Sequence, residues 1–125
     1  MPIPNTEPEH QTAIAEFTRT HGPEHTSTLS ARNNLANFLF SSGNHAEAEK
    51  EHRAVFDMRG KVLGPEHPAT LSSAYNLAAS LWELGKDDEA LRFGRISLAG
   101  RDKILGEDHL HTKAARRFVE AIEAM

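Results

Sequence analysis

The sequence predicts an all-α fold, a solenoid of about six helices paired antiparallel within one domain. Three observations carry this. The phrase Gly22-Pro23-Glu24-His25-Thr26-Ser27-Thr28-Leu29 returns as Gly64-Pro65-Glu66-His67-Pro68-Ala69-Thr70-Leu71, and in worn form as Gly106-Glu107-Asp108-His109-Leu110-His111-Thr112. The step is 42 residues each time, and a fixed period in this range marks a stacked-repeat architecture. Residues 22–63 and 64–105 share 18 identities over those 42 positions, where ordinary residue usage gives roughly 3. Between the phrases apolar residues recur at helical spacing, and none alternate as in a strand.

A chain of 125 residues is one domain. It sits near the lower limit for an array, which needs about three repeats. The net charge of −4 argues against a nucleic-acid binder, which presents a basic stripe to phosphates. The absence of cysteine excludes disulfides, thiolate zinc sites and a cysteine nucleophile. No apolar run approaches the roughly 18 residues of a membrane span, and the start lacks a basic-then-apolar signal pattern. The expectation is a cytoplasmic protein that does not engage membranes.

Residues 1–8 hold three prolines and no periodicity, so a disordered lead-in is expected. A helix over 9–21 follows, with Ala13, Ile14 and Phe17 on one face. It stands one period before the second helix of repeat one and is expected to cap the open end of the stack. In the Gly-Pro-Glu-His turn, glycine permits a left-handed cap and proline cannot continue the helix. Pro68 suits a first helical position, where a missing N–H costs nothing. Thr28, Thr70 and Thr112 fall in opening turns, where their hydroxyls can satisfy backbone groups.

Repeat one occupies 22–63. Its first helix, about 27–41, turns Leu29, Leu35, Ala36 and Leu39 inward, and Gly43 closes it. Its second, about 45–63, turns Ala48, Val55, Phe56, Val62 and Leu63 inward. Repeat two, 64–105, copies the plan with Leu71, Leu77, Ala78, Leu81 and Gly85, then Ala90, Leu91, Ile96, Leu98 and Ile104. Ala36, Ala78, Ala48 and Ala90 fall where a larger side chain would hold paired helices apart. Residues 106–125 are expected to be a capping helix, about 110–124. Its apolar face (Val119 and Ile122 among others) has turned by about 100° from that of the earlier first helices. Charged residues cover its other side, as a terminal unit needs.

Asn-Leu-Ala at 34–36 and 76–78, Leu39 and Leu81, Gly43 and Gly85, and Glu-Ala at 47–48 and 89–90 resemble the tetratricopeptide repeat. The 42-residue period with its Leu-Gly-Pro-Glu-His-Pro linker resembles the kinesin-light-chain subtype. The match covers 22–105 well and 106–125 weakly. The resemblance implies a right-handed superhelix that binds peptides or partner proteins in a concave groove, without catalysis. His45 and Asp87 stand where the family has an aromatic, and His52 and Gly94 where it has another large apolar residue. These departures predict looser helix pairing. Phe118 replaces the repeated asparagine in the last unit.

At 100° per residue, Ser30, Asn34, Asn37 and Ser41 fall within about 60° of one another, opposite Leu35 and Leu39. Ser72, Asn76, Ala79 and Glu83 repeat that stripe. The resemblance makes it the groove side. Carboxamides suit a groove because each offers donors and an acceptor to an extended backbone. Asn33, Tyr75 and Arg117 flank the stripe. The candidate partner-binding residues are therefore Ser30, Asn33, Asn34, Asn37, Ser72, Tyr75, Asn76, Glu83, Arg117 and Phe118. Any solvated helix face is polar, but asparagine recurring at one helical position, where its propensity is poor, favours the groove.

The eight histidines invite a metal or acid–base reading. His25, His67 and His109 lie one repeat apart, too far to share a zinc with Zn–N bonds of about 2.0–2.1 Å. His109-x-His111 supplies two ligands at most, and His45 and His52 are seven apart without a His-Glu-x-x-His motif. There is no phosphate-cradling glycine loop, nucleophile elbow or dinucleotide fingerprint. The expectation is protein or peptide binding, with no metal, cofactor or catalysis. A homodimer through the terminal helices is a further expectation, and the rival reading is a structural or oligomerisation segment of a larger signalling protein. A small histidine-dependent metal enzyme is a remote third.

Overall fold

The computed structural model describes residues 3–125. It contains α1 (Glu7–His21), α2 (Thr26–Ser41), α3 (His45–Leu63), α4 (Pro68–Glu83), α5 (Asp87–Leu105) and α6 (Leu110–Glu123). Each helix packs on its neighbour in sequence, and no strand occurs among the described residues. Residues 1 and 2 of the expected lead-in lie outside the described residues, and Glu7 and Pro8 at its end form the first turn of α1. The helix starts early because the Thr6 hydroxyl accepts from the Glu9 N–H (3.3 Å), while Pro8 sits where no N–H is needed.

The repeated phrase is a corner held by fixed bonds. The Gly64 N–H closes α3 by donating to the Gly60 carbonyl (3.1 Å). Its φ of 101° and ψ of 155° lie in a region that glycine alone enters freely. This exit is more extended than the left-handed cap expected. A Cβ on Gly64 would meet nothing within 4 Å, so backbone conformation, not crowding, requires the glycine.

The histidines of the phrase are N-caps. His25, His67 and His109 each accept through Nδ1 from the backbone N–H two residues on, at 3.0, 3.0 and 3.1 Å. The threonines act elsewhere than in the helix turn itself. Thr28 and Thr70 donate back to the Gly22 and Gly64 carbonyls (2.7 and 2.8 Å), tying helix to linker. Thr112 Oγ1 is buried without a partner. His67→Ala is expected to cost about 1 kcal/mol, and His67→Asn to recover most of it. Identical urea midpoints for wild type and both variants would show that the cap contributes nothing.

The core runs along the stack through Leu35, Leu39 and Val55, then Leu71, Leu77, Leu81 and Phe93, all buried. Ala36, Ala48, Ala78 and Ala90 are 0% exposed, as close helix pairing requires. Val62 and Ile104, expected inward, are 41% and 42% exposed, because the last turns of α3 and α5 leave one side uncovered. The looser pairing expected from the departures is not found. His45 packs edge-on against Phe40 (centroids 4.7 Å apart, 71°), and His52 is buried. Gly94 makes room for Phe118, whose ring carbons would lie 3.0 and 3.1 Å from a Cβ placed there. Asp87 opens α5 with Asp88 and Glu89 as an acidic first turn, which the helix dipole favours.

Candidate peptide-binding face

The predicted stripe is accessible. Ser30, Asn34, Asn37, Glu83 and Arg117 are exposed, while Asn33, Ser72, Tyr75, Asn76 and Phe118 are half-buried. Helical spacing puts them on one side of α2 and α4, and packing gathers most of them into three places. Between α1 and α2, Ser30 and Asn34 share a cavity of about 460 Å³ with Ala13, Phe17 and Ala31. Between α2 and α4, Asn37, Tyr75 and Asn76 share a cleft of about 380 Å³ with Phe40, Ser41, Ala79 and, from α3, His52. Toward α6, the Tyr75 ring meets that of Phe118 at a tilt (5.6 Å, 60°), and Ser72 accepts from Arg101 Nη2 (3.3 Å). Glu83 and Arg117 line neither the cavity nor the cleft. The Asn33 Oδ1 is buried without a partner.

Two residues missing from the sequence reading belong here. Arg59 and Arg101 are buried, 9% and 5% exposed. Arg59 Nη1 donates to the Ala69 carbonyl (3.3 Å) and to Ser73 Oγ (2.9 Å). Arg101 Nη1 donates to the His111 carbonyl (3.1 Å), and its guanidinium lies 5.1 Å from the Tyr75 ring centroid. Residues 69 and 111 are one period apart, so both arginines follow one design. Burial pulls both below the ordinary arginine value; for Arg101 the Tyr75 phenol opposes this. No carboxylate pairs with either among the described residues. Arg59 also borders a smaller cavity of about 200 Å³ with Thr26, Ser30 and His67. Its Nε and Nη2 form no hydrogen bond among the described residues, and that side of a guanidinium is a fork shaped for carboxylates. The signal was present in the sequence, since both arginines are among the 18 repeated identities.

His52 is 1% exposed. Burial, and secondarily the charge of Arg59, lowers its pKa to about 4, so the imidazole is neutral near pH 7. Its Nδ1 has no hydrogen-bond partner. The described residues contain no group of three or more His, Cys, Asp or Glu placed to hold a metal. No helix is long and apolar enough to cross a membrane.

The family model of the tetratricopeptide repeat matches residues 27–103. No curated protein matches the chain. Among solved structures, a chain of Podosopora anserina, described as a kinesin light chain with nearly identical TPR-like repeats, is similar with a TM-score of 0.86 and 25% identity. The match covers 93% of this chain and 55% of that one. A Gln-to-Met variant of that protein matches with the same values. The present chain thus spans about half the length of these relatives.

Proposed function

The chain belongs to the tetratricopeptide repeat family, and from that premise we propose that it binds an extended segment of a partner protein along the face shared by α2 and α4. Repeats of this family are in general protein-interaction modules and typically non-enzymatic. The reading therefore assigns this chain a binding role, with no reaction and no cofactor of its own.

The observation that carries it is the pair Asn34 and Asn76. They are equivalent under the 42-residue period, accessible, and each lines one of the two larger hollows described above. Neither carboxamide forms a hydrogen bond among the described residues, so both are free to pair with a peptide backbone, which offers donors and acceptors in turn. The open donors of Arg59 suit a carboxylate on the same segment.

The test is selection of a random peptide library displayed on phage against the immobilised protein. Wild type is expected to enrich a consensus. Asn34→Ala with Asn76→Ala is expected to bind the selected peptides roughly tenfold or more weakly, from two lost hydrogen bonds of about 1 kcal/mol each. Its melting should stay within about 0.5 kcal/mol of wild type, as for ordinary surface substitutions. Failure to enrich any peptide, or unchanged affinity in a folded double variant, would sink the assignment.

A further inference from the structure

We propose that His52 is the floor of a side-chain pocket in the α2–α4 cleft that takes an uncharged hydrogen-bonding side chain, an amide or a hydroxyl, from the bound segment. The proposal deepens the peptide-binding reading and rests on it.

Positions 10, 52 and 94 are equivalent under the 42-residue period, and the fold treats each differently. His10 is 7% exposed and covered by the Phe38 ring, with centroids 5.1 Å apart. At Gly94 the space is filled by Phe118. Around His52 the equivalent of Phe38 is Ser80, and the equivalent of Phe118 is Asn76. Ser80 is fully buried and its Oγ has no partner. No ring from either position seals His52, which instead borders the cleft of about 380 Å³.

The walls define what fits. Phe40 and Tyr75 supply apolar sides, and Asn37, Ser41 and Asn76 a polar rim. No Asp, Glu, Lys or Arg lines the cleft, and the imidazole is neutral there. A cationic ligand group would lose its hydration and meet the repelling charge of Arg59 nearby, and an anionic one would find no charged partner within the lining. An aliphatic group would cover the imidazole and leave its remaining hydrogen-bonding capacity unused, which is costly in a buried site. A neutral imidazole offers one donor and one acceptor, which an amide or hydroxyl can use whichever nitrogen carries the proton.

The experiment uses the full chain and the peptides selected on wild type. One peptide position is expected to favour Asn, Gln, Ser, Thr or Tyr. Replacing that residue by alanine should weaken binding to wild type about tenfold, the equivalent of one well-made hydrogen bond. The same replacement should change affinity for His52→Leu by less than twofold. His52→Leu removes a buried unpaired polar group and is expected to fold, as checked by circular dichroism melts; His52→Phe serves if the leucine variant melts low. An equal tenfold loss in wild type and the apolar variant overturns the proposal. So does a selected position that is aliphatic or charged. A consensus that survives Asn34→Ala with Asn76→Ala but depends on His52 would support the pocket while sinking the asparagine argument, so the two failures are distinguishable.

Discussion

Lowering the pH from 7 to 5 is expected to cost the fold about 2 kcal/mol through His52 alone. The ring is buried under α2 and α4, and burial with the nearby Arg59 charge lowers its folded pKa from 6.5 to about 4. A base whose folded pKa is depressed stabilises the protein fully above the unfolded value. Below pH 6.5 the unfolded chain takes up a proton that the folded one refuses, and each pH unit removes about 1.4 kcal/mol until pH 4. The measurement is a pair of urea titrations at pH 7 and pH 5 on wild type and His52→Leu. Carboxylates and the three cap histidines are common to both proteins, so the difference between their pH dependences isolates His52. Parallel loss in the two proteins would mean that position 52 titrates alike in folded and unfolded chains.

That effect arises at a residue whose role was only half legible. The 42-residue period located every helix, because it set both the apolar register and the corner phrase. The bounds of α3 fall where the spacing put them, and those of α2 and α6 within one residue. Periodicity says which face a residue occupies but not which neighbour answers it. Gly94 read as a packing defect because its complement, Phe118, lies 24 residues away on another helix. The threonine hydroxyls do satisfy backbone groups at Thr28 and Thr70, but the histidine caps were not legible, for a related reason. Both histidine and threonine stand at the helix start, and only the side-chain geometry decides that the imidazole accepts from the helix while the hydroxyl turns back to the linker.

The candidate site shows the same division. The asparagines were visible because poor helix formers repeated at one position demand a reason. The arginines were equally repetitive, yet charged residues near a helix end are ordinarily solvated, so nothing marked Arg59 and Arg101 as buried. Their burial depends on the next repeat supplying the Ala69 and His111 carbonyls. A single repeat therefore could not make these arginine sites, and the proposed binding face is a property of adjacent repeats.

Deleting residues 110–125 is expected to destabilise the remaining domain by several kcal/mol, the largest effect predicted for this chain. In α6, Val119 and Ile122 are buried, 4% and 8% exposed, and Ile122 joins the cluster of Leu77, Ala78, Leu81, Ala90 and Phe93. Burying one such aliphatic side chain contributes about 1.5–3 kcal/mol. The deletion would also empty the space beside Gly94 and take the His111 carbonyl from Arg101, leaving a buried cation poorly satisfied. Ordering the backbone of α6 offsets part of this gain, so the net loss is smaller than the sum of its contacts. The outer side of α6 differs from that of α4. Where α4 presents Leu77, Ala78 and Leu81, α6 presents Val119, Glu120 and Glu123, and Glu123 pairs with Arg95 of α5 at 2.8 Å. Charge in place of two apolar positions suits a helix that faces water. Thermal melts and size-exclusion chromatography of the truncated and full chains decide the matter. A large drop in melting temperature, with or without self-association through the bared α5 face, is the expected result. An unchanged melting temperature in a monomeric truncated protein would show that α6 lies on the stack without holding it.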